Sequence, residues 1–112
     1  MGTDSVTGNV IDYVDRMEEF RGIVFRDGPM GRRAALAGGP DVWELVATMR
    51  NCKARGEEAI AATADLLDLT DSQVRAAIRY YGAFPHEIDR RISLNAADVN
   101  EAEAAWQREQ AA

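Results

Sequence analysis

Between Ala64 and Arg79 the chain reads Ala-Asp-Leu-Leu-Asp-Leu-Thr-Asp-Ser-Gln-Val-Arg-Ala-Ala-Ile-Arg, and this run restricts the fold more than any other stretch. Two helical apolar patterns meet there with room for no more than a tight turn between them. Upstream, Ile60, Ala64 and Leu67 recur at the spacing of one helix face; downstream, Val74, Ala77, Ile78 and Tyr81 do the same. Thr70 and Gln73 stand three residues apart at the start of the second pattern, the spacing at which a hydroxyl and an amide cap each other's backbone N–H. The turn carries Asp68 where a glycine is common, and aspartate accepts a left-handed backbone better than most residues. Ala64 is small enough for two helices to cross closely. The segment therefore predicts a helix-turn-helix, with Ser72, Arg75, Ala76 and Arg79 on the outer face of its second helix.

The rest of the chain can be built around that unit. A helix is expected from a cap at Asn9, with Val10, Tyr13, Val14 and Met17 inward and acids on its other face. Gly22 breaks it. Ile23-Val24-Phe25 and Ala34-Ala35-Leu36 read as strands around the Asp27-Gly28-Pro29 turn, a hairpin that needs a helix or a second chain to cover it. After Gly38-Gly39-Pro40, Asp41 and Glu44 resemble a capping box opening a helix through Val42, Leu45, Val46 and Met49 to about Gly56, and another begins near Glu57. Gly82 and Pro85 punctuate the chain before a last helix, in which Ile88, Ile92, Asn95, Val99, Ala102 and Trp106 alternate at spacings of four and three. That seam is too narrow to hold a helix folded alone, so the region beyond about Asn95 is expected to be loosely ordered without a partner.

The 112 residues hold one modest core. The expected fold is mainly α: a helix-turn-helix domain with a short N-terminal β-hairpin and a C-terminal amphipathic helix, organised as an amphipathic helix over 1–21, the hairpin and helix-turn-helix over 22–92, and an acidic partner-binding segment over 93–112.

Chemistry that this sequence would need for catalysis is missing from its motifs. One cysteine, Cys52, and one histidine, His86, fall short of a metal-ligand set or an internal disulfide. Gly28-Pro29-Met30-Gly31 lacks the Lys-Ser/Thr ending of a phosphate loop. Glu57 with Glu58, and Glu101 with Glu103, do not share a helix face and make no acid–base pair. No enzyme activity, cofactor, metal or small-molecule substrate is expected. The absence of a long apolar run and of a basic, apolar leader points to a cytoplasmic protein with no membrane partner.

A net charge of −6 argues against nucleic acid until its distribution is considered. Asp4, Asp12, Asp15, Glu18 and Glu19 crowd one end, and Asp98, Glu101, Glu103 and Glu109 the other, which leaves the middle close to neutral. Within that middle, Arg75 and Arg79 could meet phosphate or guanine, with Ser72, Gln73 and Ala76 beside them and Arg50, Lys53 and Arg55 adding phosphate contacts. The candidate partner surface is the seam of Ile92, Val99, Ala102 and Trp106 flanked by Asp98, Glu101 and Glu103. Trp43 is expected to pack in the fold.

Gly31-Arg32-Arg33, Gly56-Glu57-Glu58-Ala59-Ile60, the run from Leu69-Thr70 to Tyr80-Tyr81, and Pro85-His86-Glu87-Ile88-Asp89 resemble unknown-function family 433, the VapB-like antitoxins. The likeness spans roughly 22 to 92. It differs at Gly31-Arg32-Arg33-Ala34, where the family usually has Gly-Thr-Arg-Ile. The resemblance implies a homodimeric helix-turn-helix antitoxin of a type II pair, binding operator DNA as an autorepressor and neutralising a PIN-like ribonuclease toxin. From the residues alone, a helical dimerisation or adaptor module with neither role remains the alternative.

Overall fold

The computed structural model describes residues 13–29 and 31–111, and among these five helices surround a two-stranded hairpin. In chain order they are α1 (13–19), β1 (Ile23–Gly28), β2 (Gly31–Leu36), α2 (Val42–Asn51), α3 (Glu57–Leu67), α4 (Asp71–Ala83) and α5 (Pro85–Ala111). The expected cap at Asn9 and the inward Val10 lie outside the described residues.

Antiparallel pairing of Ile23 with Leu36, Phe25 with Ala34 and Gly28 with Gly31 closes the hairpin through a two-residue turn. Ile23, Ala34 and Leu36 are buried on one face, against α2 and α4. The hairpin's cover thus comes from the chain's own helices. Ala35, on the other face, is buried as well, because a turn through Gly38 (φ +69°) brings Pro40 and Asp41 back alongside β2.

Asp41 precedes α2 but does not cap it through its side chain. Its nearly buried carboxylate instead accepts from Arg33 Nε and from Trp43 Nε1 at 3.1 Å, with Arg26 3.8 Å away. An opposite charge delivered by β2 outcompetes a backbone N–H for the same oxygens. This joins hairpin to helix, and α2 then ends at Asn51, short of Gly56, with the chain running through 52–56 to α3.

α2, α3 and α4 pack pairwise on one another. Asp68 takes the left-handed conformation (φ 55°, ψ 51°) while its N–H returns to Ala64 and Asp65 carbonyls, stopping α3. Thr70 then caps α4: Gln73 N donates to Thr70 Oγ1 at 3.1 Å and Thr70 N donates to Gln73 Oε1 at 2.9 Å. The turn residues behave as their types predict.

The face that α4 buries is Val74, Ala77 and Tyr80, with Ile78 and Tyr81 only half-buried. The helix is rotated relative to the expected Val74–Ala77–Ile78–Tyr81 face. Leu67 is likewise half-buried, while Ala59, Thr63 and Ala64 form the covered side of α3.

Tyr80 sits among three phenylalanines, with ring centroids 5.4 Å from Phe20, 6.0 Å from Phe25 and 4.8 Å from Phe84. Its hydroxyl accepts from Arg16 at 2.8 Å and donates to Glu87 at 2.5 Å. Burial first, then the bond to Glu87, holds the phenol well above its ordinary pKa. Arg16 also lies 3.8 Å over the Phe84 ring, so α1 turns Tyr13 and Arg16 inward, with buried Phe20 just past its end, and leaves Val14 and Met17 exposed where the apolar spacing placed them inward.

Tyr80→Ala should therefore destabilise the chain by about 3–5 kcal/mol in urea unfolding, as aromatic deletions in cores do. Ile78→Ala should cost clearly less; a larger loss at Ile78 than at Tyr80 would overturn this orientation of α4.

Candidate functional site

The outer face of α4 is built by the same contacts that bury its inner face. Ser72, Arg75 and Arg79 are exposed. The other two candidates on this helix have structural duties. The Gln73 side chain is committed to the cap on Thr70, and Ala76 packs at the core's edge, where a Cβ added to Gly22 would meet its own Cβ at 3.7 Å. A free surface with Ala76 between two arginines is not what forms. Arg75 is held by an ion pair to Glu57 at the start of α3, a link between two exposed side chains.

Three cations were expected near α2. Arg50 donates to the Tyr81 hydroxyl at 2.6 Å and to the Asp89 carboxylate, and Tyr81 donates to the same carboxylate at 2.8 Å. The guanidinium lies 5.6 Å from the Tyr81 ring centroid. Arg50 is thus a clasp joining α2, α4 and α5. The bonds from Tyr81 and then Arg50 hold Asp89 below the usual aspartate pKa. Lys53 and Arg55 are exposed in the 52–56 connection with no ion pair among the described residues.

Arg21 joins these residues only in the folded chain. The turn between α1 and β1 sets it beside α4, where Arg21, Gly22, Leu36 and Ala37 face Ser72, Gln73 and Ala76 across a groove of about 270 Å³. No local signal places residue 21 near residue 72; the one available hint is Gly22, whose φ of +90° permits a close turn against a helix. On the opposite flank of α4 the electrostatics reverse, since Glu57, Glu58, Asp65, Asp68 and Asp71 are all exposed.

The second candidate surface lies on α5. Its 27 residues form one helix, about 40 Å long at 1.5 Å per residue, with no break where 22–92 was expected to give way to 93–112. Ile88 is buried and Ile92 packs against the core, so Ile92 belongs to the fold and not to the partner surface. Beyond it the seam opens to solvent: Val99 is 48% and Trp106 61% exposed. Ala102, Asp98, Glu101 and Glu103 are exposed beside them. The helix continues through Ala111 where loose order was expected, consistent with the strong helix formers Ala96, Ala97, Glu101, Ala102, Glu103, Ala104 and Ala105. Trp43, by contrast, is half-buried and hydrogen-bonded, as a packing residue.

Among the described residues no cluster of three or more His, Cys, Asp or Glu could hold a metal, and no helix is long and apolar enough to cross a membrane. No protein-family model, curated protein or solved structure matches this chain.

Arg50→Ala should lower the unfolding midpoint because it removes the clasp, and the loss should be largest near neutral pH. Asp89, whose pKa is depressed, contributes stability above the ordinary aspartate range near about 4, and that contribution fades as pH falls. Asp89→Asn should flatten this acid limb in pH-dependent denaturation. An unchanged limb would remove the clasp from the account.

Proposed function

We propose that this chain is an antitoxin-type DNA-binding protein: a homodimer in which α3 and α4 form the helix-turn-helix that holds operator DNA for autorepression, while the protruding part of α5 neutralises a PIN-like ribonuclease toxin in the cytoplasm. The observation that carries the reading is the pairing, in one small chain, of a capped α-turn-α unit with an exposed acidic helix. The resemblance to the VapB-like antitoxins of unknown-function family 433 supports it, since it rests on the residues that build the turn, the cap and the start of α5.

Each half has its own chemistry. Arg75 and Arg79 supply guanidiniums that can contact phosphate or pair bidentately with guanine. On α5, Trp106 and Val99 offer an apolar anchor and Asp98, Glu101 and Glu103 offer charge. A nuclease groove that handles RNA is basic, so these carboxylates complement it, and a tryptophan is the side chain best suited to fill a pocket within it.

One observation favours the other reading, a helical dimerisation or adaptor module. The carboxylates along α3 and its turn face the same solvent as Arg75 and oppose a phosphate backbone.

The two readings separate in one set of measurements. A duplex spanning the region upstream of the chain's own gene should bind the parent protein with affinity that falls steeply with salt. Arg75→Ala combined with Arg79→Ala should abolish that binding without changing the melting temperature, and Glu57→Gln should tighten it by releasing Arg75. Deletion of 96–112 should spare DNA binding and end both co-purification with, and neutralisation of, a toxin encoded by the adjacent gene. A parent protein that binds neither duplex nor neighbour is the adaptor.

A further inference from the structure

The charge pattern around α4 is lopsided, and the asymmetry selects one flank for a nucleic-acid strand. At 3.6 residues per turn Ser72 and Arg79, seven apart, fall nearly in line on the outer face of the helix. Arg75 lies on the α3 side of that line, where Glu57 pairs with it and Asp65, Asp68 and Asp71 add negative charge nearby in the chain. The other side of the line is the α1–β1 turn. Gly22 lets that turn approach Ala76 with no side chain between them, and the groove so formed is lined by Arg21, Ser72 and Gln73.

Arg21 differs from the arginines that tie the fold together. Arg16, Arg26, Arg32, Arg33, Arg50 and Arg75 all lie in hydrogen bonds or ion pairs with named partners. Arg21 and Arg79 are exposed and make no ion pair among the described residues, even though Glu18 and Glu19 lie just upstream of Arg21. A guanidinium already bonded to a carboxylate must give up that partner to bind phosphate, whereas an unpaired one loses only water. Lys53, Arg55, Arg90 and Arg108 share that state among the described residues, but Arg21 and Arg79 are the ones set on α4 or against it, and so are best placed for an anion arriving there.

We propose that Arg21 is a DNA-contacting residue: a phosphate strand crosses the groove between the α1–β1 turn and α4, held there by Arg21 and the Ser72 hydroxyl and, two turns further along α4, by Arg79, on the flank away from the α3 carboxylates. This rests on the DNA-binding reading of α4. It assigns the strand's path, and it makes a residue outside the helix-turn-helix part of the binding face.

The test uses the full chain and a labelled duplex of arbitrary sequence, titrated by fluorescence anisotropy over a range of salt. Arg21→Ala should weaken binding several-fold at low salt and reduce the slope of log K against log salt by about one, the signature of one lost phosphate contact. Arg21→Lys should keep the parent slope, and both variants should keep the parent melting temperature. If the parent binds and Arg21→Ala binds with the parent's slope, the inference is overturned while the reading of α4 stands. A parent that binds no duplex at low salt removes both. Weaker binding at an unchanged slope also counts against it, because a phosphate contact must release counterions.

Discussion

A buried tyrosine hydroxyl has to be hydrogen-bonded, and in this protein that requirement organises the periphery of the core. Tyr80 is fully buried among Phe20, Phe25 and Phe84, where an unsatisfied hydroxyl would cost about 1–3 kcal/mol. Its two partners come from the first and last helices, Arg16 from α1 and Glu87 from the first turn of α5, and these two also bond each other at 2.8 Å. One side chain of α4 thereby fixes where both terminal helices leave the body. The aromatic rings supply the burial, and the polar triad supplies the direction.

A second polar junction acts in the same way at the start of α2. Asp41 gathers Arg33, Trp43 and, at longer range, Arg26, so the hairpin and the start of α2 cannot separate without stranding a buried carboxylate. With Arg50 joining α2, α4 and α5, four arginines of the body, Arg16, Arg26, Arg33 and Arg50, serve the fold. What remains for a partner is small and sharply divided: unpaired guanidiniums near α4, carboxylates and an exposed tryptophan along α5.

The parts of this arrangement that were legible in the sequence are those determined by neighbours in the chain. The Thr70–Gln73 cap, the left-handed Asp68, the hairpin around Gly28 and the start of α5 at Pro85 each depend on residues within a few positions, and each forms as its residue types suggest. Where the deciding contact is distant, periodicity misleads. Tyr80 and Tyr81 are adjacent and equally apolar, so the spacing does not reveal which enters the core; Phe20 and Phe84 decide it. Arg16 looks like a surface residue until Tyr80, Glu87 and the Phe84 ring are around it, and its inward turn is what leaves Val14 and Met17 outside. Asp41 reads as a cap in the sequence because Arg33 is silent at the level of local pattern. Arg21 was invisible for the same reason.

The absence of a joint in α5 has a mechanical consequence. A helix that is anchored in the core at Ile88 and still helical at Ala111 carries its far end at a fixed angular phase as well as a fixed distance from the body. Each added or removed residue turns everything beyond it by roughly 100°. Chain-length changes between Ile92 and Val99 would therefore behave as rotations: a single-residue insertion would swing Val99 and Trp106 onto another side of the molecule, while a seven-residue one would nearly restore their heading. The helix acts as a ruler and a compass together, and drift in its length is constrained to steps near whole turns.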